Sequence, residues 1–128
     1  MVERQSHAPT VLVAEDSDDM RVVVRRFLES RGYHVVEAAN GQEAVEAAKR
    51  SRPDLILMDL NMPALDGLAA AEEIRAGGET CQPPVIALTA YDVYGMREAA
   101  LQAGCCEYLT KPIDFDRMAK TISLMIGP

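Results

Sequence analysis

Short apolar runs with no polar alternation, separated by stretches of helical period, constrain this chain more than any other feature. Thr10 to Ala14 holds Val11, Leu12 and Val13 between Pro9 and the acidic pair Glu15-Asp16, which reads as a buried strand. Met20, Val23, Val24, Phe27 and Leu28 then follow the i, i+3, i+4, i+7, i+8 template of an amphipathic helix, with Ser17 or Asp18 as N-cap and Gly32 just past the end. His34 to Ala38 is a short β-branched strand. Asn40-Gly41 turns the chain into an Ala-rich helix over Gln42 to Arg50, stopped before Pro53.

The alternation repeats through the rest of the chain. Leu55 to Met58 is apolar throughout and ends at Asp59, as expected of a strand covered on both faces in a parallel sheet. Asn61 to Gly67, with Pro63 and Gly67, reads as a loop, and Leu68 to Ala76 as a helix closed by Gly77-Gly78. Val85 to Leu88 is a fourth strand ending at Thr89, Met96 to Ala103 a helix before Gly104, and Glu107 to Thr110 a fifth strand ending at Lys111-Pro112. Phe115, Met118, Ala119, Ile122, Met125 and Ile126 lie on one helical stripe with Asp114 as its cap. Five βα units in series are what successive right-handed crossovers need, so the expected fold is an open α/β sheet of parallel strands. One domain over residues 10–128, after a loose tail at 1–9, is the expected organisation, with none of the 128 residues expected to form an effector.

Composition removes other classes. The chain has 13 basic and 20 acidic residues, a net charge of −7, which disfavours a broad phosphate-binding face for nucleic acid. No apolar run approaches membrane-spanning length, and the polar N-terminus is not a secretion signal. Cys81, Cys105 and Cys106 are an odd set without zinc or C-x-x-C spacing, the usage of small, partly buried thiols in a reducing cytoplasm.

In an open α/β sheet the ligand crevice lies beyond the carboxyl ends of the strands. The residues there are Glu15 and Asp16 after the first strand, Asp59 after the third, Thr89 after the fourth and Lys111 after the fifth. Crowded carboxylates repel unless a cation neutralises them, and an oxygen-only set without His or Cys favours Mg²⁺. A lysine and a hydroxyl opposite such an ion would clamp the oxygens of a transferred phosphoryl group, with Asp59 as the in-line nucleophile.

These residues carry a resemblance. Glu15-Asp16, the run Met58-Asp59-Leu60-Asn61-Met62-Pro63-Ala64-Leu65-Asp66-Gly67, the pair Thr89-Ala90 and the run Tyr108-Leu109-Thr110-Lys111-Pro112 together resemble the receiver domain of two-component response regulators, from about Thr10 to Ile126. The resemblance implies a flavodoxin-like, doubly wound five-stranded parallel sheet of order 2-1-3-4-5 with five helices. It implies a phosphoacceptor rather than an enzyme, with Asp59 taking a phosphoryl group from a sensor histidine kinase or a histidine phosphotransfer protein. Mg²⁺ would be held by Asp16, Asp59 and the Asn61 backbone carbonyl, with Glu15 acting through water, while Thr89 and Lys111 would contact the phosphoryl oxygens. A cis bond is implied at Lys111-Pro112. Thr89 and Tyr108 would relay the signal to the surface of the fourth helix, fifth strand and fifth helix, where an output partner would bind. Asn61 and Tyr91 match positions that tune phosphoryl lifetime in this family, and a homodimer through the last two helices remains open. Glu15 stands where the family often has Asp, and Cys105-Cys106 replace more usual small and acidic residues.

Plainer readings stand beside these. Asp16 or Asp59 alone is an ordinary helix cap, Asp66 and Gly67 serve a turn and the third helix, and Tyr108 is a half-buried strand aromatic. Asp16-Ser17-Asp18 has the spacing of the haloacid dehalogenase nucleophile, a phosphatase alternative, but lacks the Gly-Thr continuation. A receiver-like binding module that never uses the pocket is a third possibility, against which the intact acid trio, Thr89 and Lys111 speak. Ala90 to Gly95 has poor helix propensity and no capping box, so the entry to the fourth helix is expected to be less stable than the first or last helix.

Overall fold

The computed structural model describes residues 8–60, 67–76, 83–90 and 95–127. Strands and helices alternate along the chain: β1 (Thr10–Ala14), α1 (Asp18–Ser30), β2 (His34–Ala38), α2 (Gly41–Ser51), β3 (Leu55–Asp59), α3 (Gly67–Ala76), β4 (Val85–Thr89), α4 (Met96–Gln102), β5 (Glu107–Thr110) and α5 (Phe115–Ile126). The strands form one parallel sheet in the order β2-β1-β3-β4-β5. After β2 the chain returns to the other side of β1 to place β3, so the winding direction reverses between β1 and β3. That reversal opens the crevice at their carboxyl ends.

Side chains alternate across each strand, and the two faces bury different helices. Leu12, Ala14, Ile56, Met58, Ala87 and Tyr108 pack with Ala44, Val45 and Ala47 of α2, Ala70 and Ala71 of α3, and Ala100 of α4. Val11, Val13, Leu55, Leu57, Ile86, Leu88 and Leu109 pack with Val24 and Leu28 of α1 and with Met118 and Ile122 of α5. The small residues on α2, α3 and α4 bring those helices close to the sheet, whereas α1 and α5 fill their face with large side chains.

Each fully buried Leu, Ile or Met is worth about 1.5–3 kcal/mol, and a good N-cap about 1 kcal/mol. Packing therefore holds the helices, and capping sets where they begin. Ser17 accepts from the Met20 N–H, Asn40 from the Glu43 N–H, and Asp114 from the Arg117 N–H. Glu43 reaches back to accept from the Ala39 N–H, completing a capping-box-like pair. The α4 helix begins instead at Gly95, with φ of 86° and no side-chain cap bond. The missing cap agrees with the sequence there, while residues 91–94, on which most of the expected weakness falls, lie outside the described part of the chain.

Candidate functional site

Where β1 ends, the chain is held by backbone and side chain together. The Glu15 N–H donates to the Ala38 carbonyl at 3.0 Å, which ties the turn to β2. The Glu15 carboxylate accepts from the Ser17 N–H at 3.1 Å and from the Lys111 ammonium at 3.0 Å. Asp59, the last residue of β3, is only 2% exposed, and its Oδ2 accepts from the same ammonium at 3.2 Å. The backbone N–H of Lys111 donates to the Thr89 carbonyl at 2.7 Å, which anchors the lysine to the end of β4. The Lys111-Pro112 bond is cis. Thr89 closes β4, fully buried and in register with Thr110.

Asp16 is the exposed member of the group. One carboxylate oxygen each from Glu15, Asp16 and Asp59 lie within 4.8 Å of one another. Opposite ligands of Mg²⁺ stand about 4.2 Å apart and the ion prefers oxygen donors, so this set fits a magnesium ion in both span and chemistry. Three carboxylates against one ammonium leave a formal excess of two negative charges (3 − 1 = 2) when all are ionised. Burial is the main cause pushing the Glu15 carboxyl above its ordinary range, and the Asp59 charge adds to it; the Ser17 N–H and Lys111 pull the other way. Burial alone would lower the Lys111 ammonium, but its hydrogen bonds and the charges of Glu15 and Asp59 prevail and hold it above the ordinary lysine value.

The structure thus brings together Glu15, Asp16, Asp59, Thr89 and Lys111, all at the carboxyl edge of the sheet. Tyr108 is buried in β5 at 3% exposure, more deeply than a half-buried aromatic, and the Arg97 guanidinium of α4 lies 5.3 Å from its ring centre. Gly67 opens α3. Asn61, Asp66 and Tyr91 lie outside the described residues. In the Asp16-Ser17-Asp18 segment, Ser17 caps α1 and Asp18 pairs with Arg21. A cavity of about 260 Å³ lined by Ala71, Ile74, Pro83, Pro84, Val85, Gly104 and Cys106 lies at the opposite, amino edge of β4 and β5, and none of the carboxylates lines it. Sequence reasoning passed over Arg21, whose guanidinium donates to the Glu15 carbonyl at 2.7 Å and to Glu37 at 3.0 Å. Its signal was slight: one cation in α1 on the turn that follows two acids.

A parallel sheet wound 2-1-3-4-5, with acids and a lysine at its switch point, defines a CheY-like doubly wound domain. The chain belongs to the response regulator receiver domain family of two-component signalling, whose profile matches residues 11–123. It is 36% identical over 118 residues to the polar-differentiation response regulator DivK of Brucella anthropi, an alignment covering 92% of this chain and 96% of that protein. The receiver domain of the sensor histidine kinase PA1611 of Pseudomonas aeruginosa, solved with a magnesium ion coordinated in its active site cleft, is 40% identical, with a TM-score of 0.85 over 95% of this chain and all of that one. The Ssk1 receiver domain of Saccharomyces cerevisiae, co-crystallised with the histidine phosphotransfer protein Ypd1, belongs to a structure that aligns at 32% identity with a TM-score of 0.86, covering 92% of this chain and 88% of the matched one. Receiver domains of this family are phosphoacceptors rather than turnover enzymes. Among the described residues no helix is long and apolar enough to cross a membrane.

Proposed function

We propose that Asp59 accepts a phosphoryl group from a phosphohistidine, borne by a sensor kinase or a phosphotransfer protein, and that residues 10–128 act as one cytoplasmic receiver unit. One observation carries the reading: a single ammonium, Lys111, bridges the buried Asp59 and Glu15 carboxylates beside a third acid, Asp16. A carboxylate oxygen of Asp59 forms a bond to phosphorus as the bond from phosphorus to the donor imidazole nitrogen breaks. Lys111 then exchanges an Asp59 oxygen for a phosphoryl oxygen, and Thr89, at the end of the neighbouring strand, donates its hydroxyl to another.

Asp16, Asp59 and the Asn61 carbonyl would hold Mg²⁺, with Glu15 reaching it through water; when bound, the ion supplies charge neutralisation for the phosphoryl oxygens. Rearrangement at Thr89 and Tyr108 would alter the α4-β5-α5 surface for an output partner. The donor class is supported by the kinase-borne and Ypd1-bound relatives. Incubation with acetyl phosphate and Mg²⁺ should add one phosphoryl group by intact mass, and Asp59→Asn should prevent it. A wild-type protein that stays unmodified, or an Asp59→Asn variant modified to the same extent, overturns the reading.

A further inference from the structure

Resting on that reading, we propose that Arg21 is a positioning residue for the metal-binding turn: it orients the peptide plane between Glu15 and Asp16, and so sets where the Asp16 carboxylate stands. The two acids differ in how they are held. Glu15 is fixed through its own carboxylate, by Ser17 and Lys111. Asp16 is exposed, and among the described residues no hydrogen bond holds its carboxylate. Its position therefore depends on the backbone that presents it. On the strand side of Asp16 that backbone has two anchors, the Glu15 N–H on the Ala38 carbonyl and the Glu15 carbonyl on Arg21, while on the helix side Ser17 is held by the Glu15 carboxylate and the Arg21 N–H. The second anchor fixes the peptide that leads directly into Asp16.

Arg21 is built for this task. Its side chain is 14% exposed, and its guanidinium is spread over three acceptors: the Glu15 carbonyl, Glu37 of β2 and Asp18 of α1. A planar fork bound on three sides cannot rotate without breaking at least one contact, whereas a lysine ammonium would be a point charge on a flexible stem. Glu37 is held in turn by Arg25 at 2.8 Å. The arrangement runs from β2 through α1 to the turn, and Arg25 offers a control that shares Glu37 but does not touch the Glu15 carbonyl.

Two physical effects give opposite signs for the same substitution. If Arg21 matters to the ion only as a charge, removing a cation near a divalent metal site tightens Mg²⁺ binding. If it positions the turn, removing it weakens binding, by about tenfold or more, the range seen when an outer partner of a metal ligand is lost. Titration calorimetry with MgCl₂ should show wild type binding, Arg21→Met weakened about tenfold, and Arg25→Met within twofold of wild type. Arg21→Lys keeps the charge and the stem and guards against loss of fold; it should be weakened as well, because one ammonium cannot serve three acceptors. Urea unfolding in EDTA separates any loss of stability from loss of affinity. Unchanged or tighter binding in Arg21→Met and Arg21→Lys overturns the positioning role alone. Absence of Mg²⁺ binding in the wild type overturns the metal site itself, and the positioning role with it.

Discussion

Two adjacent cysteines in the turn before β5 occupy opposite environments. Cys105 is buried and its N–H donates to the Ala100 carbonyl; Cys106 is exposed and its N–H donates to the Val85 carbonyl at 2.7 Å. Burial pushes the Cys105 thiol up to about 11, with Cys106 adding to the rise. A raised acid favours the neutral form in the folded state, so this thiol's contribution to stability is complete below pH 9 and is lost as pH climbs through about 11. Alkylation of the native protein with iodoacetamide at pH 8, followed by peptide mapping, should modify Cys106 rapidly and Cys105 only after local opening; equal rates would contradict the burial argument. Sequence alone treats the two as alike, because which of two neighbours faces the core is decided by the turn geometry, not by residue type. The same limit hid Arg21, whose partners Glu15 and Glu37 become neighbours only when β1 and β2 pair.

Among the elements, the two faces of the sheet differ in how their helices are secured. The α5 helix is capped by Asp114 and sends Met118 and Ile122 fully into the core. Asp114→Ala should lower stability by about 1 kcal/mol in urea unfolding without changing the slope of the transition; a neutral result would mean that packing alone starts the helix. Helices α1 and α5 were legible with their caps because Ser17, offered beside Asp18, and Asp114 stand where the apolar period begins, whereas Asn40 read as part of a turn and the structure makes it the cap of α2. Strands β3 and β4 were legible because Leu55 to Met58 and Val85 to Leu88 lack any polar alternation. The α4 start was readable through the absence of a capping residue before Met96. Differences at helix ends are a residue or so: α2 opens at Gly41 rather than Gln42, with Asn40 as its cap, and α4 closes at Gln102 rather than Ala103.

At the scale of the whole molecule, spacing alone could establish parallel crossovers but not which strands become neighbours; the order 2-1-3-4-5 followed from the motif resemblance, and hydrogen bonding carries it in the structure. Glu15, Asp16, Asp59, Thr89 and Lys111 were legible as neighbours because that topology sends every strand's carboxyl end to one edge. Mg²⁺ that binds only the folded chain should stabilise the entire domain by mass action, by about 2.7 kcal/mol at a hundredfold excess over its dissociation constant. Urea midpoints measured in EDTA and across a MgCl₂ series should rise accordingly, and a midpoint insensitive to Mg²⁺ would argue against the acid cluster as its site. The Lys111 bridge joins residues 96 and 52 positions apart, to Glu15 and Asp59 respectively. During synthesis the ribosome releases the acids long before the lysine that pairs with them. A nascent chain therefore carries the carboxylates without the ammonium that gathers them.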